Sequence, residues 1–209
     1  MARIFAHRCV MTYDILLALA FFAFVTVFSP GPNNLMLMAS GANFGLKRSV
    51  PHLLGVATGF PAMIVLVGLG VMQLFDAYPV SHTILKVASV AYMLWLAWKI
   101  ANAAPPKEAQ ADSRPLTYLQ AAAFQWVNPK AWSMALGAIT LYATTRDLLA
   151  IVIVAGVYML IGSCSATSWT VLGTGIRRLL AKPGRLTVFN WCMAALLLAS
   201  LVPTFLATT

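Results

Sequence analysis

Two short polar interruptions hold the residue types in this chain that can bind and release a small polar solute. The first is Ser29-Pro30-Gly31-Pro32-Asn33-Asn34, set between the apolar runs Ile15–Phe28 and Leu35–Ala39. Pro30 and Pro32 have no N–H and Gly31 adds backbone freedom, so carbonyls about one turn earlier lose their helical partners. Asn33 and Asn34 bring amide donors and acceptors to the same level. The second is Asn128-Pro129-Lys130, preceded by Gln125 and Trp126. Freed carbonyls and amide oxygens suit an ammonium. The N-terminus of a half-helix starting near Asn33, and the Lys130 cation, suit a carboxylate. The candidate substrate-binding set is therefore Pro30, Gly31, Pro32, Asn33, Asn34, Gln125, Trp126, Asn128, Pro129 and Lys130.

The elements that position this set lie in a membrane. The chain has 209 residues, 61% hydrophobic and only 9% charged, with a mean hydropathy of +0.83, far from the roughly 25% charged residues of a soluble domain. At about 1.5 Å per residue the run Ile15–Phe28 reaches about 21 Å, short of a hydrocarbon core of about 30 Å. The first interruption then falls inside the bilayer, where irregular backbone is tolerated only against protein or a cavity. Six apolar segments follow, near 15–39, 50–74, 79–100, 116–144, 148–172 and 187–206. They predict an all-α membrane protein with six transmembrane helices, the first and fourth broken.

The polar stretch 102–115 divides the chain into repeat 1 (about 11–101) and repeat 2 (about 116–206), within one transporter domain over 11–209. Residues 1–10 read as a dispensable tail, with Met11 as an alternative start and no cleavable signal peptide. Three spans per half imply an inverted repeat, and a shift of about 99 residues lays Pro30 on Pro129. Lys47, Arg48, Lys99, Lys107, Arg114, Arg177, Arg178, Lys182 and Arg185 follow the odd segments, against Arg3, Arg8 and Arg146 on the other side. Both termini are then expected outside the cytoplasm. Five spans with one re-entrant segment would put one terminus inside.

Several residues have a plainer reading beside the functional one. The prolines can merely kink a helix, and the asparagines can be interhelical glue. Lys130, deep in a span at an insertion cost of about 2.5–3.5 kcal/mol, can clamp a carboxylate, act as a gating charge, snorkel, or bind carbonyls freed beside Pro129. Gly55 and Gly59 are read as helix-packing positions and Pro61 as a kink. Lys86 is read as snorkelling, Trp95 and Trp98 as an interfacial anchor, and His52 and His82 as interfacial polar caps with a possible proton role. Cys9, Cys164 and Cys192 have no Cys-x-x-Cys spacing and are expected to be inert.

These features exclude most other classes. The five acids, Asp14, Asp76, Glu108, Asp112 and Asp147, sit at span ends or in loops, and no paired histidines, metal ligands or nucleotide-binding glycine loop exist. No enzyme, metal or cofactor is expected. The net charge of +9 is spread among hydrophobic spans, which fits lipid headgroups and topology rather than nucleic acid. A secondary transporter remains, with a channel or structural membrane subunit as the alternative; a homo-oligomer is compatible with either.

The strings Thr26-Val27-Phe28-Ser29-Pro30-Gly31-Pro32-Asn33-Asn34, Gly41, Gly45 and Gly55-Val56-Ala57-Thr58-Gly59, with Phe124-Gln125-Trp126-Val127-Asn128-Pro129-Lys130, resemble the LysE/RhtB amino-acid exporters over residues 11–206. The resemblance implies a bacterial inner-membrane protein exporting amino acids or derivatives on the proton-motive force. Ala91-Tyr92 and Trp95-Leu96-Ala97-Trp98-Lys99-Ile100-Ala101 resemble the cysteine/O-acetylserine branch. Many members carry an aspartate after the second-span glycine, where this chain has Phe60. Without it, coupling could pass through Lys130, a histidine or the substrate's own ionisation.

Overall fold

A computed structural model describes residues 12–71, 77–78, 80–103, 114–143, 147–181 and 184–199. The tail at 1–10 with Met11, residues 104–113 of the linker with Lys107, Glu108 and Asp112, as well as Asp76, Arg146 and Lys182, and the side chains of His82 and Lys86 lie outside the described residues. The chain is all-helical, with no strand among the described residues. Helices lie on all six apolar segments: α1 Tyr13–Phe28, α2 Pro32–Phe44, α3 Leu46–Leu66, α4 Val80–Ala101, α5 Tyr118–Val127, α6 Pro129–Tyr142, α7 Leu148–Ile176 and α8 Arg185–Ala199.

Their ends follow local chemistry. Thr12 and Asp147 cap α1 and α7 with side-chain oxygens, and Thr117 with Gln120 closes a capping box on α5. Gly45, at φ 78°, turns α2 directly into α3, a conformation that a side chain would strain. Helix α3 continues through Pro51 and Pro61 as one element. Its departure from α-geometry comes later, in a π turn over Val67–Val71 with Gly70 at φ 104°.

Polarity is arranged outside-in. Large apolar side chains face outward, among them Phe21 (72% exposed) and Leu160 (70%), with Phe24, Ile84, Trp98 and Leu149. The buried set includes Asn34, Asn43, Gln125, Asn128, Ser165 and Asn190. A surface of that kind is stable only against hydrocarbon. Leu46–Val71, Thr83–Ala101 and Leu148–Ile176 are each long and apolar enough to cross a membrane. The α1–α2 pair, bent by 55°, makes a fourth if taken as one span.

Helix α2 is the centre of the packing. It is buried from Asn34 to Asn43 and lies against α3, α7 and α8. The α2–α7 crossing is backbone on backbone: a methyl on Gly41 would strike the Thr170 carbonyl, and one on Gly173 the Met38 carbonyl. At its far end α2 is tied to α8 by a reciprocal amide pair, Asn43 Nδ2 to Asn190 Oδ1 at 2.9 Å and Asn190 Nδ2 to Asn43 Oδ1 at 3.2 Å. Gly55 and Gly59 of α3 bring it against α5, where added methyls would meet the Tyr118 carbonyl and Ala121, and Ala122.

Candidate functional site

The first break leaves carbonyls that must find other donors. The Thr26 carbonyl, whose helical donor would be Pro30, accepts from Ser29 Oγ at 2.8 Å. The Val27 carbonyl accepts from Asn34 Nδ2 at 2.6 Å and from Ser165 Oγ of α7 at 2.8 Å. The Ser29 carbonyl accepts from Asn34 Nδ2 at 2.9 Å and from Lys130 Nζ at 2.8 Å. Lys130 Nζ also donates to Ser29 Oγ at 2.7 Å and, more weakly, to the Pro30 carbonyl at 3.4 Å. Asn34 therefore holds the end of α1 to the start of α2.

The second break satisfies itself. Asn128 Oδ1 accepts from the Lys130 backbone N–H at 3.1 Å, and the Gln125 carbonyl takes the Asn128 N–H at 3.3 Å. The Trp126 carbonyl takes the Trp132 indole N–H at 2.8 Å, while the two indoles meet edge-on at 5.8 Å. The breaks are then tied to each other twice. Lys130 crosses to Ser29, and Asn33 and Gln125 exchange amide bonds at 2.9 and 3.2 Å.

Gly31 has a role that backbone freedom does not explain. Its φ of −178° is ordinary extended backbone. A Cβ there would instead sit 2.7 Å from Lys130 Cδ and 2.9 Å from Nζ. The glycine is a missing side chain across which the lysine lies. Gly31→Ala should cost little stability, because the Lys130 stem is flexible, but should displace Nζ from Ser29. The expected readout is faster modification of Lys130 by an amine-directed reagent, scored by mass spectrometry. An unchanged rate would count against the contact.

Between the breaks lies a cavity of about 40 Å³, about three times the roughly 10–15 Å³ that one water needs. Gly31, Asn33, Asn34, Asn128 and Lys130 border it; Pro30, Pro32, Gln125, Trp126 and Pro129 shape the breaks without lining it. The far wall comes from α3 and α7: Phe60 and Tyr158, rings edge-on at 5.4 Å, with Ser165. Tyr158 OH lies 3.2 Å from Thr26 Oγ1. Among the described residues no carboxylate borders the cavity, and Lys130 has no acidic partner. Its donors and acceptors suit a molecule with an ammonium and small polar groups. No group of metal-binding side chains occurs among the described residues.

Thr26, Ser165, Tyr158 and Trp132 were absent from the candidate set. The usable signal was the polar run Ser163-Cys164-Ser165-Ala166-Thr167-Ser168 inside an otherwise apolar segment. His52 is buried in α3, and both its ring nitrogens lack a hydrogen-bond partner among the described residues; it does not border the cavity.

Residues 24–201 match the family model described as LysE type translocator. A cysteine/O-acetylserine efflux protein of Escherichia coli is 30% identical over 197 residues, which is 93% of this chain and 100% of that protein. Proteins of the same name from another Escherichia coli strain and from Shigella sonnei are 30% identical over 177 residues, covering 84% of this chain and 90% of each relative. No solved structure matches.

Proposed function

Since the chain belongs to the LysE-type translocator family, we propose that it is a secondary exporter of amino acids or their derivatives, with cysteine and O-acetylserine as first candidates. One observation carries the reading: two helix breaks, between α1 and α2 and between α5 and α6, converge on one polar cavity inside an apolar-surfaced helical bundle, and each supplies groups to the other. Transporter sites are built this way, from discontinuous helices of two repeats. The ammonium of the substrate faces the carbonyls of the first break, and its carboxylate the N-terminus of α2. The names of the relatives support the choice of substrate.

The wider architecture in this reading is six spans in a 3+3 inverted repeat, α1–α2 corresponding to α5–α6. It sits in the bacterial inner membrane with both termini periplasmic, following the positive-inside bias. Export draws on the proton-motive force. The test is resistance and efflux in an exporter-deficient strain, across cysteine, O-acetylserine, homoserine, threonine and a basic amino acid. Expression should lower intracellular cysteine or O-acetylserine at least threefold and raise the tolerated dose. Export of basic amino acids alone would defeat the substrate choice. Conductance that ignores the proton gradient would replace the carrier with a channel.

A further inference from the structure

Among the described residues the site has no acidic candidate for the proton-coupling group: no carboxylate lines the cavity, and Asp14 and Asp147 are exposed at helix N-termini. What the site does have is a primary ammonium already seated on the first break. Its acceptors are Ser29 Oγ at 2.7 Å, the Ser29 carbonyl at 2.8 Å and the Pro30 carbonyl at 3.4 Å. An amino acid's α-ammonium is the same chemical group, with the same three N–H donors. Gly31 leaves the room that the seated Lys130 side chain fills, since a Cβ there would lie 2.7 Å from Lys130 Cδ and 2.9 Å from Nζ.

We propose that Lys130 is the coupling residue, and that its protonated side chain and the substrate's ammonium occupy the Ser29–Pro30 acceptors in turn. The inference rests on the transport reading above. In the resting state Lys130-NH3+ fills the acceptors. When substrate enters from the cytoplasm, Lys130 gives up one N–H proton to water on that side and remains as a neutral amine. The substrate ammonium then takes the acceptors. After the site opens outward, the amine takes a proton from periplasmic water and returns, expelling the substrate. One proton enters for each zwitterion that leaves, and no carboxylate is required. Among the described residues, the other titratable side chain at the cavity is Tyr158 of α7. Helices α1, α2 and α3 present none there, with His52 of α3 away from the lining. The two breaks are cross-tied by Lys130 only when it is seated, so proton occupancy also holds them together.

The experiment uses the full chain in proteoliposomes with radiolabelled, reduced L-cysteine as the probe, replaced by O-acetylserine, homoserine or threonine if cysteine is not carried. Exchange without a gradient and substrate-linked proton flux into a lumenal pH dye are recorded side by side. Wild type should show both, and its substrate affinity should weaken as the pH is lowered, by up to about tenfold per unit, because more Lys130 is then protonated and competes. Lys130→Met should retain measurable exchange but lose at least tenfold in the proton flux per substrate exchanged, and should bind with a flat pH profile. Lys130→Arg stays charged and should lose at least tenfold in both assays. His52→Gln should match wild type. Proton flux surviving in Lys130→Met overturns the proposal, as does its loss in His52→Gln alone. A folded Lys130→Met that loses exchange as well would make Lys130 a substrate ligand, which also overturns it. Wild-type protein that exchanges none of the probes fails the transport reading itself, before any variant is considered.

Discussion

Gly41→Leu and Gly173→Leu should each cut the yield of monodisperse, detergent-extracted protein at least tenfold, while Gly156→Leu and Gly175→Leu extract like wild type. The first two glycines oppose backbone: an added Cβ meets the Thr170 carbonyl from α2, or the Met38 carbonyl from α7. No side-chain rotation relieves a clash with backbone, so the helices must separate. Overpacking typically costs about 1–3 kcal/mol where neighbours can shift, and more where they cannot. Opening this crossing would also strip contacts from α2, which is buried along nearly its whole length. Gly156 and Gly175 have nothing within 4 Å of an added Cβ, and leucine is the better helix former by roughly 1 kcal/mol. Size-exclusion profiles and melting in detergent measure the difference. Wild-type melting of both Gly41→Leu and Gly173→Leu would mean that α2 does not run against α7 as described.

The breaks were legible because their cause is local: a proline has no N–H, whatever surrounds it. Helices α1 and α2, and α5 and α6, part at the residues where that argument puts the breaks. What reached across the fold was not legible. Gly31 reads in sequence as backbone freedom, yet its backbone is extended and its absent side chain makes room for a lysine almost a hundred positions away. In sequence the nearest free carbonyls to Lys130 are those beside Pro129; the carbonyls it binds belong to the other break. The polar run 163–168 shows why composition alone fails here. Ser163, Thr167 and Ser168 turn back onto their own helix, to the carbonyls of Met159, Ser163 and Cys164. Only Ser165 in this run reaches across, to Val27. All are polar residues in an apolar span, and their roles depend on which face of α7 meets α1. Asn43 and Asn190, 147 positions apart, carry no local pattern at all.

Asn34→Leu and the double variant Pro30→Ala/Pro32→Ala should both insert fully and export at no more than a tenth of the wild-type rate per molecule. They attack the same bend from opposite sides. Leucine keeps the branching of the Asn34 side chain, in a larger volume, but removes both N–H donors. The Val27 carbonyl keeps Ser165 and the Ser29 carbonyl keeps Lys130, so neither is orphaned. What disappears is the tie between the end of α1 and the first turn of α2, two bonds worth about 0.6–1.7 kcal/mol each inside a membrane. The alanine pair does the reverse: it restores N–H groups that can bond the Thr26 and Phe28 carbonyls, so the chain can run straight through a bend that is now 55°. In either case the substrate acceptors leave their place opposite Asn128 and Lys130. Insertion should be unaffected, because each change makes the segment more apolar or more helical. Immunoblots of washed membranes give the inserted amount, and efflux of preloaded cysteine gives the rate. Full-rate export from well-inserted Asn34→Leu and Pro30→Ala/Pro32→Ala proteins would detach transport from the bend, and the substrate would have to pass elsewhere in the bundle.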